Sequence, residues 1–116
     1  MSIIERIDTV CLKVRDINTA SSWYQEMLGL EEQYREEHYA ILKIGESGVP
    51  LPLEKGEPNG GGNSTYPIFF SSSIDEAHKT LSSRGVTVTD IQQDGLNTYF
   101  ELFDVDGNKS QICYWK

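Results

Sequence analysis

The chain is poor in the residues that most often announce a chemistry. It has two histidines and two cysteines in 116 residues, and no apolar run near the roughly 20 residues that span a bilayer. Cys11 and Cys113 form no CxxC pair and no metal-type spacing. Both fall inside strand-like patterns, so they are expected as buried, reduced thiols acting as small apolar residues. His38 follows Glu36 and Glu37 in a hairpin-like stretch, and His78 sits one position off the apolar stripe of a helix. Both are expected to be exposed and to ligate nothing. Basic residues are scarce as well: 10 Lys and Arg against 18 Asp and Glu give a formal charge of −8, which repels nucleic acid over the whole surface. The first residues lack the apolar core of a secretory signal. The expectation is a cytoplasmic protein with neither membrane nor nucleic acid as partner.

What the chain does have is a repeat. Val14 to Ala20 opens one helical segment, and Ser71 to Ala77 opens another 57 residues later. Each follows a strand-like run (Ile7 to Val14; Thr65 to Phe70), each helix stops at a glycine (Gly29; Gly85), and each half closes with a glycine turn into a last strand (Gly48 into Val49 to Glu54; Gly107 into Lys109 to Trp115). A duplicated unit buries its apolar faces against its twin. With 38% hydrophobic and 24% charged residues, the composition is that of one globular domain. The expected division is module 1 at 1–54, a linker at 55–63 containing Pro58 and Gly60 to Gly62, and module 2 at 64–116. No Lys-Ser/Thr and no helix follow the glycine run, so it is not read as a phosphate loop.

In the first helix, expected from about Asn18 to Leu28, the residues Ala20, Trp23, Tyr24, Met27 and Leu28 make one apolar face. Asp16 or Asn18 can cap its start, and Gly29 suits the left-handed position past its end. The second helix is expected to begin with a capping box of Ser73 and Glu76, with Ile74, Ala77 and Leu81 inward. In the strands, Val10, Leu12 and Val14, then Val49, Leu51 and Leu53, Phe100 and Leu102, and Ser110, Ile112 and Tyr114 alternate with a second set. The aliphatic set is expected beneath the helices. The other set mixes polar groups, aromatics and thiols, as a pocket lining does. Pro67 cannot donate to a ladder, which suggests an edge or a bulge there.

Val14-x-Asp16-Ile17 followed by Trp23-Tyr24 and Leu28-Gly29-Leu30, and later Asp104-Val105-Asp106-Gly107-Asn108, resemble the signatures of the vicinal oxygen chelate superfamily. That family includes glyoxalase I, bleomycin resistance proteins, fosfomycin resistance enzymes and extradiol dioxygenases. Val105 stands where the family turn usually has proline. The resemblance covers essentially the whole chain and implies an α+β fold: two βαβββ modules forming a curved mixed sheet around a cleft, often completed by a homodimer. In metal-dependent members a divalent ion is held by His, Gln or Glu side chains on the first and last strands of each module. Carried onto this chain, those four positions are Thr9, Pro52, Tyr66 and Gln111. None supplies an imidazole or a carboxylate, and a hard divalent ion needs strongly donating ligands. The implied cleft is therefore metal-free, with no cofactor.

The cleft face so assigned carries Thr9, Cys11, Tyr66, Ile68, Phe70, Tyr99, Glu101, Phe103, Gln111, Cys113 and Trp115. Apolar and aromatic walls with a few polar groups suit a small flat or cationic ligand. Three functions follow. The first is a binder that sequesters a small aromatic or cationic molecule, similar to the bleomycin resistance branch. The second is an enzyme of the same family with an atypical site, using Glu101 as general base or Cys11 or Cys113 as nucleophile. The third is a protein-interaction module that has lost its ligand.

Overall fold

A computed structural model describes residues 3–58 and 65–115. The glycine run of the expected linker lies outside them. In chain order the elements are β1 (Leu12–Val14), α1 (Ile17–Leu28), β2 (Glu31–Arg35), β3 (Tyr39–Lys43), β4 (Leu51–Lys55), β5 (Ile68–Phe70), α2 (Ile74–Ser83), β6 (Thr87–Val88), β7 (Gln92–Asp94), β8 (Asn97–Phe103) and β9 (Lys109–Tyr114). They build two mixed sheets of order β1-β4-β3-β2 and β5-β9-β8-β6, with β7 also pairing β8. In each, the first strand runs parallel to the last and the remaining pairs are antiparallel. This is the α+β fold of paired βαβββ units.

Each sheet carries one helix on its aliphatic face. Leu12, Val14, Ala40, Leu42, Leu51 and Leu53 are buried under Ile17, Ala20 and Tyr24 of α1. Phe100, Leu102 and Ile112 are buried under Ile74 and Leu81 of α2. Trp23, Leu28 and Phe69 pack against both clusters. The Arg84 guanidinium, just past α2, donates to the Met27 carbonyl at 2.7 Å and so ties the two helices at the end of α1.

Both helices end as their sequences require, but only α1 begins so. Asp16 Oδ1 accepts the Thr19 N–H at 2.8 Å, and Gly29 takes φ +73°, the left-handed region that lacks a Cβ penalty. In α2 the capping box does not form. Ser73 makes no side-chain cap bond, and its own N–H donates instead to Ser71 Oγ at 3.2 Å. The serine two residues upstream reaches that N–H first, so Glu76 is left exposed.

The first strand is shorter than its pattern predicts, and the cause lies in its partner. Lys55 donates to His38 across the β3 side, while Gly56 donates to Val14 on the β1 side. Alternate N–H groups along a strand point opposite ways. The N–H positions of β4 facing β1 are therefore 54, 52 and 50, and the last two are prolines. With no donor at Pro52 or Pro50, the parallel ladder stops at Leu12. Residues 3–8 are exposed as a result, and Cys11, expected to be buried, is exposed too. Cys113 is buried as expected.

In the second sheet, β6 and β7 are two pieces of one edge, interrupted at Thr89. Its Oγ accepts the Glu101 N–H at 2.8 Å, while its own N–H donates to the Glu101 carbonyl at 2.9 Å. His78 is not the exposed residue expected. It is half-buried, its Nε2 lies 2.9 Å from the Thr89 carbonyl, and its ring stands edge-on to Phe100 at 4.8 Å. β5 is an edge strand, and Pro67 just before it faces β9, its carbonyl accepting from Gln111 while it offers no N–H in return, so the ladder begins at Ile68.

Candidate functional site

The face of the second sheet turned away from α2 holds most of the residues assigned to a cleft. Strand alternation places Lys109, Gln111 and Cys113 of β9 together, between Ile68 and Phe70 of β5 and the Tyr99, Glu101 and Phe103 set of β8. Register fixes two ranks across the three strands: Ile68, Gln111 and Glu101, then Phe70, Cys113 and Tyr99. Gln111 and Cys113 are each 8% exposed, walled in by these neighbours. Ile68, Phe70 and Trp115 are more than half exposed, at 57%, 57% and 59%. Phe70 meets Trp115 edge-on with ring centroids 6.1 Å apart and lies tilted against Tyr114 at 5.9 Å. The result is an apolar and aromatic wall with a buried amide in its floor.

Thr9 and Cys11 belong to the other half of the molecule. Thr9 spends its hydroxyl on the Pro50 carbonyl at 3.1 Å. Cys11 and Tyr66 line one hollow of about 340 Å³ where β1 approaches the segment before β5, with Lys13 and Pro67 on its rim. Ile68 and Phe70 line a second hollow of about 350 Å³ with Val10, Val49 and Pro50. A third, of about 380 Å³, lies on the helix side, among Met27, Leu30, Ile44, Phe69 and Arg84. None of the eleven assigned residues except Phe70 reaches that one.

The charged group that sequence reasoning passed over is Lys109. Its Nζ lies 3.2 Å from Glu101 Oε2 and 4.1 Å from the centre of the Tyr66 ring. Parity could have found it, since 109 shares its face with 111 and 113. The contact itself needs the strand order β5-β9-β8, which brings Tyr66 and Glu101 to either side of β9. A second lysine, Lys13, pairs with Glu54 across β1 and β4.

The two thiols are poorly suited to nucleophilic work. Cys11 is exposed as a residue, but partial desolvation of its thiol pushes it above its ordinary value, outweighing the pull of Lys13, and desolvation alone raises that of Cys113. A raised thiol carries little thiolate at neutral pH. Glu101, the one candidate base, is held by Lys109.

The same geometry decides what the four metal positions of the resembling family can do here. Pro52 has no side-chain donor atom, the Thr9 hydroxyl is engaged with a carbonyl, and the Tyr66 ring faces an ammonium. That leaves the neutral amide of Gln111. Among the described residues no three His, Cys, Asp or Glu side chains gather as metal ligands. The residues present do not fit a divalent ion.

Comparison with known proteins accords with this architecture. The family model described as the Glyoxalase/Bleomycin resistance protein/Dioxygenase superfamily matches residues 6–112. No curated protein sequence gives a significant match. Among solved structures, a glyoxalase family protein from Bacillus anthracis superposes with TM-score 0.85 at 22% identity, covering 100% of this chain and 99% of its own. TnmS3, an antibiotic binding protein from Streptomyces sp. CB03234, gives 0.86 at 17% identity over 100% of both chains. A fosfomycin resistance protein from Listeria monocytogenes, complexed with Mn(II) and dihydroxypropylphosphonic acid, gives 0.79 at 17% identity over 95% and 90%. At such identities these likenesses speak for the fold.

Proposed function

Since this chain belongs to the glyoxalase/bleomycin resistance protein/dioxygenase superfamily, we propose that it binds a small aromatic or cationic molecule in a metal-free cleft and sequesters it. The observation that carries this reading is the wall around Gln111. Ile68, Phe70 and Trp115 are held half-exposed beside a buried amide, an arrangement that costs hydration unless something covers it. Aromatic side chains at that exposure offer stacking surface for a flat ligand, and the amide offers directional bonds. The fold is shared with an antibiotic binding protein and with a metal-bearing resistance protein. The donor set described above supports a site that binds its ligand without a metal ion.

The proposed binding residues are those assigned from the sequence: Thr9, Cys11, Tyr66, Ile68, Phe70, Tyr99, Glu101, Phe103, Gln111, Cys113 and Trp115. Residues 1–54 and 64–116 are the proposed modules. A homodimer is part of the reading. Ile3, Ile4 and Ile7 are exposed on the arm that β4 cannot hold, and they supply apolar surface for a second copy. Two free thiols accord with a reducing compartment such as the cytoplasm. Catalysis by Cys11, Cys113 or Glu101 finds no support in the raised thiols and the paired carboxylate.

The test is a thermal-shift screen of flat aromatic compounds against wild type and a Phe70→Ala variant. A compound that raises Tm in the wild type and loses its effect in the variant supports the reading. Compounds that stabilise both proteins equally would move the site away from this wall.

A further inference from the structure

Away from the cleft, we propose that the hollow on the helix side is a second small-molecule site, one that takes a monocarboxylate with an extended apolar tail. It stands apart from the cleft reading, since Phe70 alone of the residues assigned to the cleft lines it. The hollow lies where the end of α1, one face of α2 and β5 meet. Its volume of about 380 Å³ is that of a small-ligand site.

The sequence leaves this space open. Ile74 and Leu81 of α2 are buried in the second core cluster. Between them the helix lines the hollow with the small side chains of Ser73 and Ala77. The other lining residues include Met27, Leu28, Leu30, Ile44 and Phe69, all half-buried. Covering them with a hydrocarbon tail takes apolar surface out of water, which is favourable in proportion to its area. From Ser73 to Arg84 the helix borders the hollow for about 16 Å. A modest volume drawn out over that length suits one extended chain rather than a ring system.

The same helix supplies the polar edge. Glu76, Thr80 and Arg84 follow at four-residue spacing, so they stand one above another on one face. Arg84 is held in place: its Nη1 donates to the Met27 carbonyl at 2.7 Å and to the Glu26 carbonyl at 3.4 Å, both in the last turn of α1. Among the described residues, its Nε and Nη2 have no partner. A guanidinium presents its donors in a planar fork, and that remaining edge matches a carboxylate with parallel bonds. Glu76 stands about 12 Å back along the helix axis. Its charge disfavours a second anionic group there, so the ligand is anionic at the Arg84 end alone.

Octanoate and its neutral amide, octanamide, are titrated by NMR into isotope-labelled protein at about 0.15 M salt. In the wild type both should shift the methyl signals of Leu30, Ile44 and Ala77. Octanoate should bind about fivefold more tightly, the contribution of an ion pair to an exposed arginine. Each buried methylene adds to affinity, so decanoate should bind about tenfold more tightly than octanoate. Arg84→Gln removes the charge and should bring octanoate and octanamide within about twofold of each other. Thr80→Phe fills the hollow, leaves Arg84 in place, and should weaken both about tenfold or more. Equal wild-type affinities for the acid and the amide overturn the proposal, as does Thr80→Phe binding octanoate like wild type. Shifts at Gln111 and Trp115 with Ile44 and Ala77 silent overturn this site while leaving the cleft as a binding site. No shift anywhere overturns it too. Should Arg84→Gln fail to fold, the wild-type ratio and Thr80→Phe decide.

Discussion

The Tyr24 hydroxyl donates to Asp104 Oδ2 at 2.8 Å, joining α1 of the first half to the glycine turn of the second, 80 positions later. Both residues sit in the motifs that carry the family resemblance, and this bond is a physical reason for them to occur together. Tyr24 is fully buried and Asp104 is 7% exposed. The same carboxylate accepts the N–H groups of Asp106 and Asn108 at 2.8 Å each, shaping the turn. Asn108 in turn donates from Nδ2 to the Lys13 carbonyl at 2.8 Å, so the turn before β9 is bonded to both β1 and α1.

Tyr24→Phe deletes that bond while keeping the ring, and leaves a buried carboxylate one donor short. The expected cost is about 1–3 kcal/mol in urea denaturation; a loss below about 0.5 kcal/mol would mean the bond adds nothing net. The pH dependence has a defined sign. Burial, reinforced by the Asp104 charge, pushes the Tyr24 phenol well above its ordinary value of 10.0. The unfolded chain therefore releases this proton first. Stability from this group is fully present below pH 10 and declines as pH rises from there toward the folded value. That alkaline decline should be shallower in Tyr24→Phe than in wild type.

Trp23→Ala tests how the halves are joined. Trp23 is half-buried, touches both core clusters, and stands edge-on to Tyr24 with centroids 4.9 Å apart. Its truncation should cost about 3 kcal/mol in chemical denaturation, the lower end for a large aromatic because one side of the ring is wet. A loss under about 1 kcal/mol would place its packing outside the stabilising core.

Pro52→Val tests why the first strand is short. The substitution restores an N–H that faces β1, allowing one more rung toward residue 10. Hydrogen exchange should show that new amide protected, and the amides near Val10 slowed relative to wild type. Free exchange at the new amide would show that something other than the missing donor holds the arm away.

Which features were legible in the sequence follows from how local their causes are. Alternation within a strand is a property of consecutive residues, so the inward set was largely readable: Leu12, Val14, Leu51, Leu53, Phe100 and Leu102 are buried, whereas Val10 is half-buried and Val49 exposed, both lying before the strands begin. The end of α1 was readable because Gly29 acts on its own turn. The length of β1 was not, because it depends on prolines about forty positions away whose direction emerges only once β4 pairs with β3. The exposure of Cys11 follows from the same cause. The Ser73 capping box failed through a competitor, Ser71, that an N-cap pattern does not include. His78 was misplaced because its partner is a carbonyl in the break between β6 and β7, which no periodicity marks. In the candidate site, the shared face of Gln111, Cys113, Glu101 and Tyr99 was legible by parity. The Lys109 contacts were not, since they depend on strand order.

The claim that orders this account is that the cleft has traded metal ligation for a side-chain site, with Thr9, Pro52, Tyr66 and Gln111 at the four positions. Calorimetric titration of the purified protein with Mn(II), Ni(II), Zn(II) and Fe(II), with Gln111→Glu alongside, tests it most directly. The account predicts no stoichiometric heat in the wild type with any of the four ions. It predicts none in the variant either, because one carboxylate among a hydroxyl, a proline and a ring does not complete a ligand set. A stoichiometric wild-type site of sub-micromolar affinity would contradict it.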